Sequence, residues 1–587
     1  MLHRWQSAVP RRGGAPITMV RAPVWVMSDI TIAVGLYVLG AAILLSPLGN
    51  HPPFSYNWEQ YTAWHVFSSW YDGFRPAEVF AVTDGLMTDS GQGPLVGLPA
   101  WLGFRLLGPD VEAMRMPVML VAALATPLLW LVGRRLVGRR AAGLAALMLA
   151  VSPVWLLYGR TATQVGISLV PMLLTVWVLL DVLDDGPRWW RAVALLQIAL
   201  VAGIYAYAPI RFLWPIALGM LLLRAVWGDT RRRYAIALGV TACVLPLALV
   251  LLGQATDPEA AMTDSLVAYY NARGEQLVGL HYQPEHYRQF IDVPGDDSAG
   301  ASEPELAARL VRRNSVVLGR LLLDRDTGPT LTNFDNPSGQ PIGRLYPGLL
   351  FPFLVAGLIA AGRSALETRR REDIMLLVLV TGFTLPILLT SRVHVGRLIF
   401  ALPFLLLLVA RGAVIVAVLT RKWLPRARCS VAPRGRFVFA GLSILLVGTV
   451  AWSAVREEGV VAPEPRVVRM ASVMADAAPE VAARGGAVFV TADAPVFEEI
   501  HLAEVRLYLG DTFDFVDVRD PTSHSATDED GVGPPLYYGQ ILTAGVPAGM
   551  DVPCGAVVFV DRVDAARAVD GRSVGCADPS LVVELPE

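Results

Sequence analysis

Charge is scarce in this chain. Lys, Arg, Asp and Glu together make 17% of its 587 residues, and of the 49 basic ones only Lys422 is a lysine. An arginine bias this strong accompanies GC-rich bacterial genomes. The formal net charge is −2, which excludes nucleic acid as a partner because no basic surplus exists to meet phosphates. No G-x-x-x-x-G-K-[ST] loop occurs anywhere, so ATP-driven transport lacks its phosphate cradle. No His, Cys, Asp or Glu spacing argues for a catalytic metal, and no cofactor is expected.

What is abundant is apolar. Hydrophobic residues make 54% of the chain and the mean hydropathy is +0.49, more than a soluble protein of this length needs for its cores. Runs long enough to cross a hydrocarbon layer of roughly 30 Å number about eleven. They fall at 30–48, 115–132, 141–158, 165–182, 189–207, 212–227, 234–252, 345–361, 374–390, 398–418 and 437–452. Basic clusters recur at every second boundary: Arg4 to Arg21, Arg134 to Arg140, Arg188 with Arg191, Arg231 to Arg233, Arg363 to Arg371, and Arg421 to Arg436. This alternation puts the N-terminus in the cytoplasm and everything after 456 outside it. Residues 1–29 carry basic charge but no long apolar run, so the first span is expected to be an uncleaved anchor.

The expected domains are a cytoplasmic segment 1–29, a transmembrane domain 30–455 and an extracytoplasmic domain 456–587. Two outer loops, 49–114 and 253–344, are too long to be simple connectors, and long ordered loops usually carry function. In the first, Tyr61, Trp64, His65 and Ser68 lie at helical spacing, which predicts a short helix on the membrane surface. The following stretch, 93–107, is apolar, too short to span and holds Pro94 and Pro99; it is expected to dip into the interface. In the second loop, 303–324 repeats leucine and valine every three or four residues between arginines, the pattern of an amphipathic helix. After Ala462 short β-rich runs at 487–490, 513–518 and 556–560 alternate with helical patterns at 495–509 and 561–569, an α/β signature. Cys554 and Cys576 both lie there, in an oxidising compartment, and are expected to form a disulfide, two free thiols being the alternative.

Several stretches resemble one superfamily. Gly91 to Gly108 (GQGPLVGLPAWLGFRLLG), Arg115 to Arg140, Ala150 to Arg160 (AVSPVWLLYGR), Gly203 to Pro215, Asn333 to Gly357 and Ser391 to Gly412 (SRVHVGRLIFALPFLLLLVARG) follow in the order of the GT-C glycosyltransferases. The likeness is to the branch of the protein O-mannosyltransferases and the bacterial aminoarabinose transferases of lipid A. The combination, covering about 30–455, carries the specificity. The resemblance implies transfer of a hexosyl or pentosyl group from a polyprenyl-phosphate donor to an acceptor hydroxyl of a protein, lipid or glycan, at the outer membrane face and with inversion.

That chemistry needs a carboxylate to take the hydroxyl proton and cations to hold the lipid phosphate. The family places an acidic residue, often an Asp-Glu pair, soon after the first span. Here Asn57, Trp58 and Glu59 supply the glutamate without the aspartate. Glu59 is therefore the first candidate base, followed by Asp89, just before the Gly91 to Leu95 motif, and Asp84. For the phosphate the candidates are Arg160, Arg211, Arg392, His394 and Arg397 at outer span ends, with Gln92 in the glycine motif. A charge at a span end can also simply reach the headgroups. The expectation is thus an α-helical multi-span GT-C fold with an extracytoplasmic α/β domain in the bacterial plasma (inner) membrane. The alternatives are a catalytically silent relative that binds polyprenyl lipid or scaffolds envelope assembly, a secondary transporter, and a glycan ligase. Against the transporter, the spans lack acids apart from Asp181.

Overall fold

The computed structural model of the chain describes residues 22–46, 59–66, 94–184, 186–203, 206–227, 230–256, 308, 311–312, 314–319, 348–388, 395–423, 434–458, 466–484, 509 and five short strands. The membrane half begins with α1 (Ala22–Leu45), α2 (Glu59–Val66), α3 (Pro94–Leu107), α4 (Val111–Ala122), α5 (Ala125–Leu136) and α6 (Arg139–Ala150). It continues with α7 (Pro153–Gly159), α8 (Gln164–Ile167), α9 (Leu169–Leu183), α10 (Trp189–Ala202), a 3-10 turn (Ala208–Phe212), α11 (Leu213–Trp227) and α12 (Arg231–Thr256). Then follow α13 (Phe351–Thr368), α14 (Arg371–Leu388), α15 (Val395–Leu398), α16 (Leu402–Trp423) and α17 (Arg434–Glu458).

Helix covers most of each expected span. Among the described residues, five helices are long and apolar enough to cross a membrane, or six if a bent pair counts as one span. The bent pair is α6 and α7, which meet at 60°. Pro153 opens α7 with no N–H to give and a backbone angle already set for a helix, so it starts a new helix rather than prolonging the old one. α3 has only 14 residues, with Pro99 inside, and remains a short apolar helix as its length dictates.

At the centre lies α16, buried continuously from Leu402 to Ala410. It packs on α6, α13 and α17. Its seam with α13 is closed by glycine on both sides: a Cβ at Gly357 would collide with the Leu408 carbonyl, and one at Gly412 with the Phe353 carbonyl. Helices without a hydrophobic drive to associate in lipid gain contact in this way, backbone against backbone. Farther out, Gln197 of α10 donates to Thr241 Oγ1 of α12 at 3.0 Å and Trp214 of α11 to the Thr241 carbonyl at 3.0 Å, tying three helices together.

α1 defines the two ends of the bundle. Near its start Asp29 pairs with Arg134 and Arg139, and beside these Arg135 pairs with Asp181 and Asp184. Arg371 of α14 reaches Asp184, and Asp373, fully buried, pairs with Arg411 from within α16. A cleft of about 200 Å³ opens here, walled by Arg135, Asp184, Arg371 and Glu372 over Leu183 and Met375. This is the arginine-rich end. The other end, where α1 finishes, holds α2, α7, α8 and the close of α14. Asn314 sits there as well, buried, donating to the Leu388 carbonyl at 3.1 Å, while Arg312 of the same loop is exposed.

After the membrane half, α18 (Arg466–Arg484) buries Met470, Ala471, Met474 and Val481, one face of an amphipathic helix. Strands β1 (Ala487–Val490), β2 (Asp514–Asp517), β3 (Pro535–Tyr538), β4 (Val557–Val560) and β5 (Val582–Glu584) form one sheet in the order β2-β3-β1-β4-β5. Every pair is parallel, with Ala487 opposite both Leu536 and Val557. Parallel neighbours need crossover connections, and α18 packs against β4. Cys554, Cys576 and most of the expected helical stretches 495–509 and 561–569 lie outside the described residues.

Candidate functional site

Glu59, Thr62, Ala63 and Val66 are all buried. Their spacing places them on one face of α2, and that face is seated in protein. Ala63 and Val66 join Val96, Ala100 and Phe104 of α3, Met114 and Val118 of α4, and Ala162 and Ile167 in one apolar cluster. α4 is fixed in turn by Asp110, whose side chain caps it by accepting from Ala113 N at 2.7 Å.

At the edge of this cluster Glu59 meets Arg115. Arg115 donates from Nε to Oε1 at 2.8 Å and from Nη2 to Oε2 at 2.6 Å, a two-point fork between groups exposed by 8% and 0%. The backbone N–H of Ala162 also donates to Oε1, at 2.6 Å. The first-choice base is therefore enclosed and engaged in holding α2 against α4 and the turn between α7 and α8. A base must reach the acceptor hydroxyl, and this geometry turns the carboxylate inward. Arg115 was expected only as the first residue of a span. The signal that could have found it is a charge at the head of an apolar run, where a guanidinium either reaches the headgroups or takes a carboxylate partner.

Arg160 ends α7 and is buried. Its Nη2 donates to the Ile43 carbonyl at 3.0 Å and lies 3.5 Å from Ser46 Oγ, at the closing turn of α1. Arg211 is half-buried on the 3-10 turn and Arg397 half-buried on α15. α15 packs against α7 and α14, and α14 packs against the 3-10 turn, so the elements bearing these three arginines gather at one end. Ring contacts tie them further: Tyr207 with Phe400 at 5.8 Å, and Phe400 with Phe383 of α14 at 6.3 Å. Asp84, Asp89, Gln92, Arg392 and His394 lie outside the described residues. Among the described residues no three His, Cys, Asp or Glu side chains are grouped to hold a metal.

Among the described residues outside the spans, one carboxyl is perturbed. Burial alone would raise that of Glu372, but its own backbone N–H, a hydrogen bond from Arg371 and the charges of Arg371 and Arg370 outweigh it and hold the group below its ordinary 4.5. It stands at the arginine-rich end, away from the candidate site.

Residues 91–251, from the glycine motif to within α12, match the family model of the dolichyl-phosphate-mannose-protein mannosyltransferases. No curated protein matches the chain. Among solved structures it is similar to the Archaeoglobus fulgidus oligosaccharyltransferase in the apo form, at 12% identity and a TM-score of 0.47 over 82% of this chain and 64% of that one. The chain thus spans about 64% of the length of that archaeal protein. It is similar also to ArnT from Cupriavidus metallidurans in the apo state, at 15% identity and a TM-score of 0.41 over 83% of this chain and 84% of that one. With ArnT bound to undecaprenyl phosphate the identity is 14% and the TM-score 0.42, over 88% and 90%. The family match bears out the GT-C resemblance carried by the sequence, and the apolar helices make this a multi-pass membrane protein.

Proposed function

We propose that the chain is a membrane glycosyltransferase that moves a sugar from a polyprenyl-phosphate donor to an acceptor hydroxyl at the outer face. The observation that carries this reading is the family match over 91–251, which contains both Arg115 and Arg160. Support comes from the gathering of Arg160, Arg211 and Arg397 at the end of the bundle away from the arginine-rich turns. By the rule that such turns stay inside, that end faces outward, and the domain of 456–587, α/β in pattern, lies outside too.

In the step itself the acceptor oxygen attacks the anomeric carbon as the bond to the phosphate oxygen breaks, so the configuration inverts. The hydroxyl proton passes to a carboxylate and polyprenyl phosphate leaves, its growing charge met by guanidinium groups. Arg160, Arg211 and Arg397 are assigned to that phosphate, with Arg392 and His394 close to Arg397 in sequence and Gln92 from the glycine motif. Glu59 was the first choice for the proton. Its bonds to Arg115 and Ala162 favour a holding role and pass the proton to Asp89 or Asp84.

A silent relative that only binds the lipid is favoured by one observation, Trp58 standing where the family usually has aspartate. Purified protein in lipid, given a panel of labelled polyprenyl-phosphate sugars, separates the readings. Turnover of one donor supports the transferase, binding of donors without turnover supports the silent relative, and neither binding nor turnover sinks both.

A further inference from the structure

Between α7 and α9 the chain from Arg160 to Ser168 (RTATQVGIS) carries five polar side chains and is buried at every position. In a membrane protein such a stretch survives only if its groups are satisfied internally. Thr161 Oγ1 donates to the Tyr158 carbonyl at 3.1 Å and shares a hydrogen bond of 3.0 Å with Thr163. Ser168 Oγ accepts from Tyr207 N at 3.0 Å. A Cβ at Gly166 would collide with the Tyr158 carbonyl, so the turn closes tightly on itself. It is a rigid hub, and side chains that grip it move as one body with it.

Two side chains of α2 grip the same residue of this hub from both sides. Glu59 Oε1 accepts from Ala162 N at 2.6 Å, and Thr62 Oγ1 donates to the Ala162 carbonyl at 2.7 Å. Glu59 and Thr62 stand three residues apart, on one face of the helix, so both bonds form only when α2 lies in one register along the turn. Thr62 is fully buried, and without its hydroxyl the carbonyl at the far side would be left dry. Ala162 is two residues beyond Arg160, whose guanidinium reaches the closing turn of α1. The path from α2 through Ala162 to Arg160 consists of short buried links.

We infer that Thr62 is a positioning residue which, together with Glu59, clamps Ala162 and thereby sets where Arg160 stands at the outer end of the bundle. The inference rests on the reading of Arg160 as a ligand of the donor phosphate. Thr62 itself touches no substrate. Its role is to fix the register of α2, which belongs to the same outer loop in sequence as Asp84 and Asp89.

The test uses the full chain in lipid nanodiscs, with Thr62→Val removing the hydroxyl at nearly constant shape and Thr62→Ser restoring it. Hydrogen exchange is followed in the peptides covering 59–66 and 160–168, and affinity is measured for a polyprenyl phosphate. Thr62→Val should exchange about tenfold faster in both peptides, the effect of losing one buried hydrogen bond, and Thr62→Ser should match the parent. The same Val variant should bind polyprenyl phosphate several-fold more weakly, with Ser again restoring the parent value. Unchanged exchange overturns the clamp, and faster exchange with unchanged affinity overturns its link to Arg160. If the parent protein binds no polyprenyl phosphate, the functional reading fails, and the exchange data still decide the clamp. Thr62→Ala, which adds no bulk beside the carbonyl, takes the place of Val if that variant does not fold.

Discussion

Glu59→Gln distinguishes an anchor from a base. In the parent, the carboxylate takes two bonds from Arg115 and one from Ala162 N, in a place where Glu59 is 0% and Arg115 8% exposed. Glutamine keeps the volume and one carbonyl oxygen but turns an NH₂ group toward a guanidinium donor, so one arm of the fork is lost and Arg115 keeps a buried charge without its counter-ion. Removing one partner of a buried pair costs about 3 to 5 kcal/mol, mostly from the charge left behind. Arg115→Met should cost a similar amount for the mirrored reason, now stranding Glu59. The double variant Glu59→Gln with Arg115→Met leaves no buried charge, and its loss should fall short of the sum of the singles by about 2 to 3 kcal/mol, as expected of residues in direct contact. Equilibrium unfolding in mixed micelles measures all four proteins. Single variants within about 0.5 kcal/mol of the parent, the range of an indifferent surface change, would refute the anchoring argument. Should Glu59→Gln instead keep its stability while turnover falls by about 10²- to 10⁴-fold, Glu59 is the general base.

Three further outcomes are expected. Gly412→Ala drives a methyl group into the Phe353 carbonyl and should cost about 1 to 3 kcal/mol, seen as a lowered unfolding temperature; an unchanged midpoint would show that α13 and α16 are not in backbone contact. Because the Glu372 carboxyl is held below 4.5 in the folded chain, its stabilising effect is complete above that value and disappears as pH falls through the folded one. The stability difference between parent and Glu372→Gln should therefore be constant near neutrality and shrink below about pH 4.5, whereas a difference independent of pH would remove the linkage. A reporter fused after Glu587 that fluoresces only in the cytoplasm should stay dark, and a bright fusion would reverse the orientation along with the sidedness of every proposed site.

The helices of the membrane half were legible because long apolar runs between arginine clusters have few other uses; helix lies over each run, and among the described residues five or six helices are long and apolar enough to cross a membrane. The mode of burial of α2 was not. Tyr61, Trp64 and His65 are residue types that favour an interface and drew the reading to the membrane surface, whereas the face that seats in protein is Glu59, Thr62, Ala63 and Val66, a set with little apolar character of its own. What buries it is distant in sequence: Arg115 for Glu59, Ala162 for Thr62, and residues of α3 and α4 for Ala63 and Val66, and no local pattern announces pairings that far apart. Three of the five strands were expected near their observed bounds, but β3 (PLYY) and β5 (VVE) were not. Runs of three or four residues, one of them opened by proline, give too little alternation to read. α18 escaped notice although its apolar face is plain, because the β-rich runs that follow it dominated that part of the chain.

The bend at Ser152 and Pro153 has a consequence for depth. Seven residues of helix advance about 10 Å along their own axis, but at 60° to α6 they gain only about 5 Å in its direction. The turn from Arg160 to Ser168 therefore sits about one helical turn lower than an unbroken helix would carry it. On the proposed reading, a phosphate that meets Arg160 would be bound by a side chain already buried in the bundle, so the lipid would carry its headgroup to the protein rather than the guanidinium reaching out to it.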